Sequence, residues 1–142
     1  MEYNKIVSMI QFLFFKEFKV QVISYSKSDQ KKLIDELLVK INKLDYYIVY
    51  RDDNKNKDFM KKYRIVNKKG AQEILKKISI DNLISIEYDD EVIKYGLEEL
   101  FIFHIECKLI DFHGEENTVK VYVKIKNKEN NMPVISFHEC ER

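Results

Sequence analysis

The chain has 142 residues, a length that suits one domain with a sizeable core, and its 45% hydrophobic and 13% aromatic residues supply that core. Charged residues make up 35% but nearly cancel to a formal charge of +1, so no global basic field argues for a nucleic-acid partner. Three Gly and one Pro exclude long flexible linkers and a glycine-rich nucleotide loop.

Residues 6–15 are apolar apart from Ser8 and Gln11, too short a run to span a bilayer, with Lys16, Glu17 and Lys19 after it. No small-residue cleavage site follows, so the expectation is a cytoplasmic protein with no signal peptide. Ile6, Ile10, Leu13, Phe14 and Phe18 predict a heavily buried helix over residues 3–18. Residues 18–25 alternate weakly, as a strand or a continuation of that helix.

SKSD at 26–29 reads as a helix start with Ser26 as cap. The stripe Leu33, Ile34, Leu37, Leu38, Ile41 and Leu44 predicts a helix over 29–44. Tyr46–Tyr50 is aromatic and β-branched, a short strand. Residues 51–57 (RDDNKNK) form a charged loop, and Phe59, Met60 and Tyr63 mark a short helix. Asn67 caps a helix over 68–78, with Ala71, Ile74, Leu75 and Ile78 inward. Residues 79–87 read as a turn or short helix, and 88–91 (YDDE) as an acidic loop.

From Leu97 onward the character is strand. Phe101, Phe103, Ile105, Cys107 and Leu109 alternate with Ile102, His104, Glu106, Lys108 and Ile110. In the next strand Val119, Val121, Val123 and Ile125 alternate with Lys120, Tyr122, Lys124 and Lys126. The last strand, Val134–His138, sets Ser136 and His138 opposite Ile135 and Phe137. The pattern predicts an α+β fold of N-terminal helices packed on a C-terminal antiparallel β-meander, in one domain. Its open face would display His104, Glu106, Lys108, Lys120, Tyr122, Lys124, Lys126 and His138, a cationic surface suited to phosphate chemistry.

Other chemistries fit less well. Cys107 and Cys140 can make at most one disulfide, and reduced thiols are expected. His104, Cys107, His138 and Cys140 lack zinc spacing, and Cys107 alternates away from His104. Nothing flags an activating base beside Cys107. Asp52, Asp53, Asp89, Asp90 and Glu91 read as solvating loop acids rather than a magnesium site. Neither a metal nor another cofactor is expected.

LFIFHIE (100–106), VYVKIK (121–126) and VISFHE (134–139) resemble blocks of the MqsR-like toxins of type II toxin–antitoxin systems, small RelE-like ribonucleases. KNKDFMKKYRI (55–65) and AQEILKKI (71–78) are similar to that family's lysine–asparagine loop and following helices. Phe101 and His104 stand where many members have tryptophan and glycine. The resemblance covers residues 46–139, a toxin-like core behind a helical N-terminal extension over 1–45.

The resemblance implies a metal-independent mRNA endoribonuclease, a hydrolase held by a cognate antitoxin and acting free or on the ribosome, with no membrane. The ribose 2′-hydroxyl attacks phosphorus and the 5′-oxygen leaves, which needs a base, an acid and cations. His138 is the acid/base candidate, since imidazole titrates near neutrality. Tyr122 matches the family's strand tyrosine, as phosphate ligand or partner acid/base, and serves as a base only if lysines depress its pKa. Lys124 matches the family's lysine as charge stabiliser. Lys55, Lys120, Lys126 and Ser136 are candidate RNA-binding residues. The alternative is a non-catalytic RNA- or protein-binding module on the same fold.

Overall fold

The computed structural model of the protein describes residues 22–88 and 98–141. The helix expected over 3–18, the first half of the strand expected over 18–25 and the acidic residues Asp89–Glu91 lie outside them. Of the weak strand, Val22 forms an isolated bridge to Glu87, and the Ile23 amide donates to the Ile86 carbonyl at 2.6 Å.

Helix α1 (Lys27–Asn42) starts where the sequence announces it: the Ser26 hydroxyl accepts from the Asp29 amide at 3.1 Å. Leu33, Ile34, Leu37 and Ile41 bury its inner stripe. The helix stops at Asn42, before the expected Leu44, because Leu44 turns left-handed with φ 58°. Leu44 then donates to the Ile41 carbonyl and Asp45 to the Lys40 carbonyl, closing the helix as a glycine usually does. Helix α2 (Lys55–Lys62) ends the same way on Arg64, φ 57°, with the Ile65 amide returning to Met60. Helix α3 (Lys68–Leu75) is capped by Asn67, whose Oδ1 accepts from the Gly70 amide, and it buries Ala71, Ile74 and Leu75.

The strands are β1 (Tyr46–Ile48), β2 (Leu83–Tyr88), β3 (Glu99–Ile110), β4 (Glu116–Lys126) and β5 (Met132–Glu139). They form one five-stranded sheet in the order β1-β5-β4-β3-β2. Two expectations are corrected. The sheet is mixed, because β1 returns to pair parallel with β5 and places Tyr46 beside Met132. Residues 83–88, read as turn or helix, are an antiparallel edge strand on β3 after a short 3-10 turn at Ile80–Asn82. LISIEY is β-branched and alternating, and the polar turn before it hid that period.

One core joins the layers. Phe101, Phe103, Ile105 and Cys107 of β3, with Val119, Val121, Val123 and Ile125 of β4, pack with the inner stripes of all three helices. Each such aliphatic burial is worth about 1.5–3 kcal/mol, so a one-residue slip of β4 is strongly disfavoured. The C-terminal part of the expected extension, α1, belongs to this core. Among the described residues no helix is long and apolar enough to cross a membrane.

Strand β5 breaks its own alternation. Tyr122 pairs with His138 and Lys124 with Ser136, but Ile125 pairs with Val134, so Ile135 is an extra, bulged residue. Val134 therefore takes the core position, and Ile135, expected beside Phe137, leaves the core cluster. Asn56, in the first turn of α2, holds this bulge. Its Nδ2 donates to the carbonyls of Val49 (2.7 Å) and Ile135 (2.9 Å), and its Oδ1 accepts from the Phe137 amide (2.9 Å). The side-chain amide thus continues the pairing of β5 where β1 leaves it. The Phe59 ring packs edge-on against Phe137 at 5.2 Å on the same seam.

Replacing Asn56 with Ala leaves two carbonyls and one amide without their partner. Each unmet buried group costs about 1–3 kcal/mol, so the unfolding free energy should fall by roughly 3 kcal/mol, read as a lower urea midpoint at unchanged slope. A fall below about 0.5 kcal/mol, the usual effect at a plain surface site, would remove Asn56 from this role. A second expectation concerns alkali. The buried Tyr46 phenol donates to the Lys68 carbonyl at 2.5 Å, and burial pushes its pKa from 10.0 up to about 12. The unfolded chain loses this proton near pH 10 while the folded chain keeps it, so stability present below pH 10 should be lost as pH rises through 12. Urea titrations across that window should show a shallower loss in Tyr46→Phe than in the parent, and equal slopes would contradict the assignment.

Candidate functional site

Strands β3, β4 and β5 carry one residue each into a single rung: His104 faces Tyr122, and Tyr122 faces His138. The rings stand 5.8 Å and 5.4 Å apart, centroid to centroid, as neighbouring strands dictate. Exposure falls along this face. Glu106, Lys108 and Lys120 are exposed, the three rings are half-buried, and Leu100 and Ile102 are buried.

The rung forms one wall of a cleft of about 340 Å³, together with Ser136 and the bulged Ile135. The lining continues with Arg51 and Asp53, from the segment between β1 and α2, and with Lys55 and Asn56, from the first turn of α2. Cys140 and Glu141 line the cleft beyond β5. The parallel pairing of β1 with β5 makes this possible, because it delivers the chain after β1 to the flank of β5.

The protonation states differ from the sequence expectation at one point. Tyr122 is not depressed toward a phenolate by lysines. Burial raises its pKa, and the charges of Glu87 and Cys140 raise it further. At neutral pH it is a phenol, able to donate a proton or a hydrogen bond but not to act as a base. The His138 Nδ1 lies 2.8 Å from the Glu139 carbonyl oxygen. A carbonyl only accepts, so Nδ1 donates and the neutral ring presents its lone pair at Nε2. The Cys140 thiol is pushed up by burial, only partly offset by Lys120, which makes it a weak nucleophile.

The cations are matched by acids. The Lys55 ammonium contacts the Glu141 carboxylate. Hydrogen bonding to Glu141 raises the Lys55 pKa, and the same bond lowers that of Glu141, so both stay charged. Glu139 takes Lys62 at 2.9 Å and the Tyr63 hydroxyl at 3.2 Å. The segment after β5 is thereby tied to α2.

Of the residues singled out from sequence, Tyr122, His138, Ser136 and Lys55 come together in the cleft, and His104 joins them. Lys120, Lys124 and Lys126 share the face of β4 with Tyr122 but lie outside the cleft lining. Lys120 faces Glu106, Lys124 sits between Ile102 and Ser136, and Lys126 lies 3.8 Å from Glu98. Sequence reasoning missed Arg51, Asp53, Asn56, Cys140 and Glu141 as cleft residues. For Arg51, Asp53 and Asn56 the one signal is the polar run 51–57 directly after a strand, and its destination depends on the unforeseen β1–β5 pairing. Cys107 is buried on the core face, away from His104. Among the described residues no group of three or more His, Cys, Asp or Glu is placed to hold a metal ion.

The hydrogen bond to Glu139 has a spectroscopic consequence. Long-range proton–nitrogen correlation spectra of neutral His138 should show the Nδ1–H tautomer; an Nε2–H pattern would reverse which nitrogen faces the cleft as base.

No protein-family model, curated protein or solved structure matches this chain, so its functional reading rests on these residues and their geometry.

Proposed function

We propose that the protein is a metal-independent endoribonuclease of the MqsR-like kind, the mRNA-cleaving toxin of a toxin–antitoxin pair acting in the cytoplasm, free or on the ribosome. The observation that carries this reading is the imidazole–phenol–imidazole rung lining one open cleft together with Arg51 and Lys55. A phosphodiester held there meets each group that 2′-hydroxyl attack requires.

His138 Nε2 takes the 2′-hydroxyl proton as the oxygen bonds to phosphorus. The P–O5′ bond breaks, and the leaving oxygen collects a proton from the Tyr122 phenol or from a protonated His104. The products are a 2′,3′-cyclic phosphate and a 5′-hydroxyl. Arg51 and Lys55 oppose the charge that builds on the phosphoryl oxygens. Lys124, one rung along from Tyr122, together with Lys120 and Lys126, holds the flanking RNA backbone as point charges. Ser136 offers a hydroxyl to a phosphate oxygen.

The second reading, a binding module without turnover, is favoured by one observation: Glu141 and Asp53 line the same cleft and offset its cations. A direct assay separates the two. Wild-type protein should cut messenger RNA, free or ribosome-bound, and leave cyclic phosphate ends. His138→Ala should slow cleavage by about 10²–10⁴-fold, as loss of a general base does. Tyr122→Phe should slow it by about 10²–10³-fold. Tight RNA or protein binding with no cleavage, indifferent to both changes, would establish the module and remove the enzyme.

A further inference from the structure

A second cleft, about 600 Å³ in volume, is lined by Tyr50, Arg51, Asp52, Asn54 and Lys57. Arg51 lines this cleft and the one holding the imidazole–phenol rung, so the two adjoin across one guanidinium. Two features of the second cleft bear on what it could hold.

The first is Tyr50. It is 61% exposed, yet its hydroxyl reaches the Met60 Sδ of α2 at 3.7 Å. One edge of the ring is pinned to a helix while much of the residue stays open to solvent. An aromatic held this way has surrendered rotamer freedom without burying its surface, a poor choice for packing and a good one for stacking a planar ligand.

The second is the charge around it. Arg51 and Lys57 face one lining acid, Asp52. The cleft also adjoins the first turn of α2, where Asn54 adopts φ 57° and its side chain makes no capping bond. The Lys55 amide at the head of α2 donates to Asp53 Oδ1 at 3.1 Å, so the cationic character of this cleft comes from the Arg51 and Lys57 side chains. An anion beside a planar group is the repeating unit of a nucleic-acid strand.

We infer that this second cleft is a nucleotide subsite for single-stranded RNA, in which the base of the nucleotide next to the scissile phosphate stacks on Tyr50 while Arg51, shared by the two clefts, stays on that phosphate. The RNA identity rests on the ribonuclease reading. Single strands are specified because a duplex keeps its base faces stacked internally and has none to offer Tyr50. Lys57 takes the next phosphate outward.

The test uses a fluorescein-labelled single-stranded 2′-O-methyl RNA of about six nucleotides, which cannot supply the attacking hydroxyl, and fluorescence anisotropy with the full chain. Tyr50→Ala should weaken binding about tenfold, as loss of one stacked base does, while Tyr50→Phe stays within about twofold of the parent. Unchanged thermal unfolding of both variants shows that the fold is intact. Arg51→Met and Lys57→Met should each flatten the salt dependence by about 0.7, the value of one phosphate contact on a single strand. Binding unaffected by Tyr50→Ala, or a duplex bound as tightly as the single strand, overturns the subsite. A parent that cleaves RNA yet is indifferent to Tyr50 loses the subsite alone. A parent that neither binds nor cleaves RNA loses both the subsite and the ribonuclease reading.

Discussion

The side-chain amide of Asn56 is the constraint on which the cleft depends. It belongs to α2 but bonds like a residue of a neighbouring strand, meeting the backbone of β5 at the bulged Ile135 and at Phe137, and the chain leaving β1 at Val49. Without it, Ile135 and Phe137 would present buried polar groups to an apolar seam. With it, three separate stretches of chain are fixed relative to one another. Arg51, Asp53 and Lys55 flank this clamp in sequence, and Ser136 and His138 flank it across the sheet. Their mutual placement follows from one well-satisfied amide rather than from many weak surface contacts.

The electrostatics of the site follow from that placement. The phenol of Tyr122 sits between two imidazoles where burial and nearby negative charge favour the neutral form. Its neighbour His138 is oriented by a backbone carbonyl, which frees the nitrogen that points away. Arg51 and Lys55 line the same cleft, and Lys55 is paired with Glu141 and lies in the field of Asp53, so its positive charge is partly neutralised.

Much of this was legible in the chain. Strands β3 and β4 alternate over enough residues that their faces are unambiguous, and Tyr122 and His138 meet because β4 and β5 pair in that register on the C-terminal side of the bulge. The caps at Ser26 and Asn67 also read correctly, because their chemistry is local. What failed was non-local or disguised. The helix ends at Leu44 and Arg64 use left-handed residues with Cβ atoms, where a glycine would have signalled the stop. The bulge at Ile135 leaves no mark in a run of apolar residues. The parallel β1–β5 pair joins segments too far apart for any window to relate, and with it went the place of Arg51 and Asp53 in the cleft.

The order of strands across the sheet has a consequence for synthesis. β5 is the last of the described strands to leave the ribosome, yet it is interior to the sheet, between β1 and β4. Until it arrives, β4 presents an unpaired ladder of backbone groups and β1 has no partner at all. A nascent chain therefore carries an open slot flanked by Val121, Val123 and Ile125, and filling it demands closure of a long loop. The rung of three rings cannot assemble before that insertion, so whatever chemistry it performs is withheld from every unfinished copy of the protein.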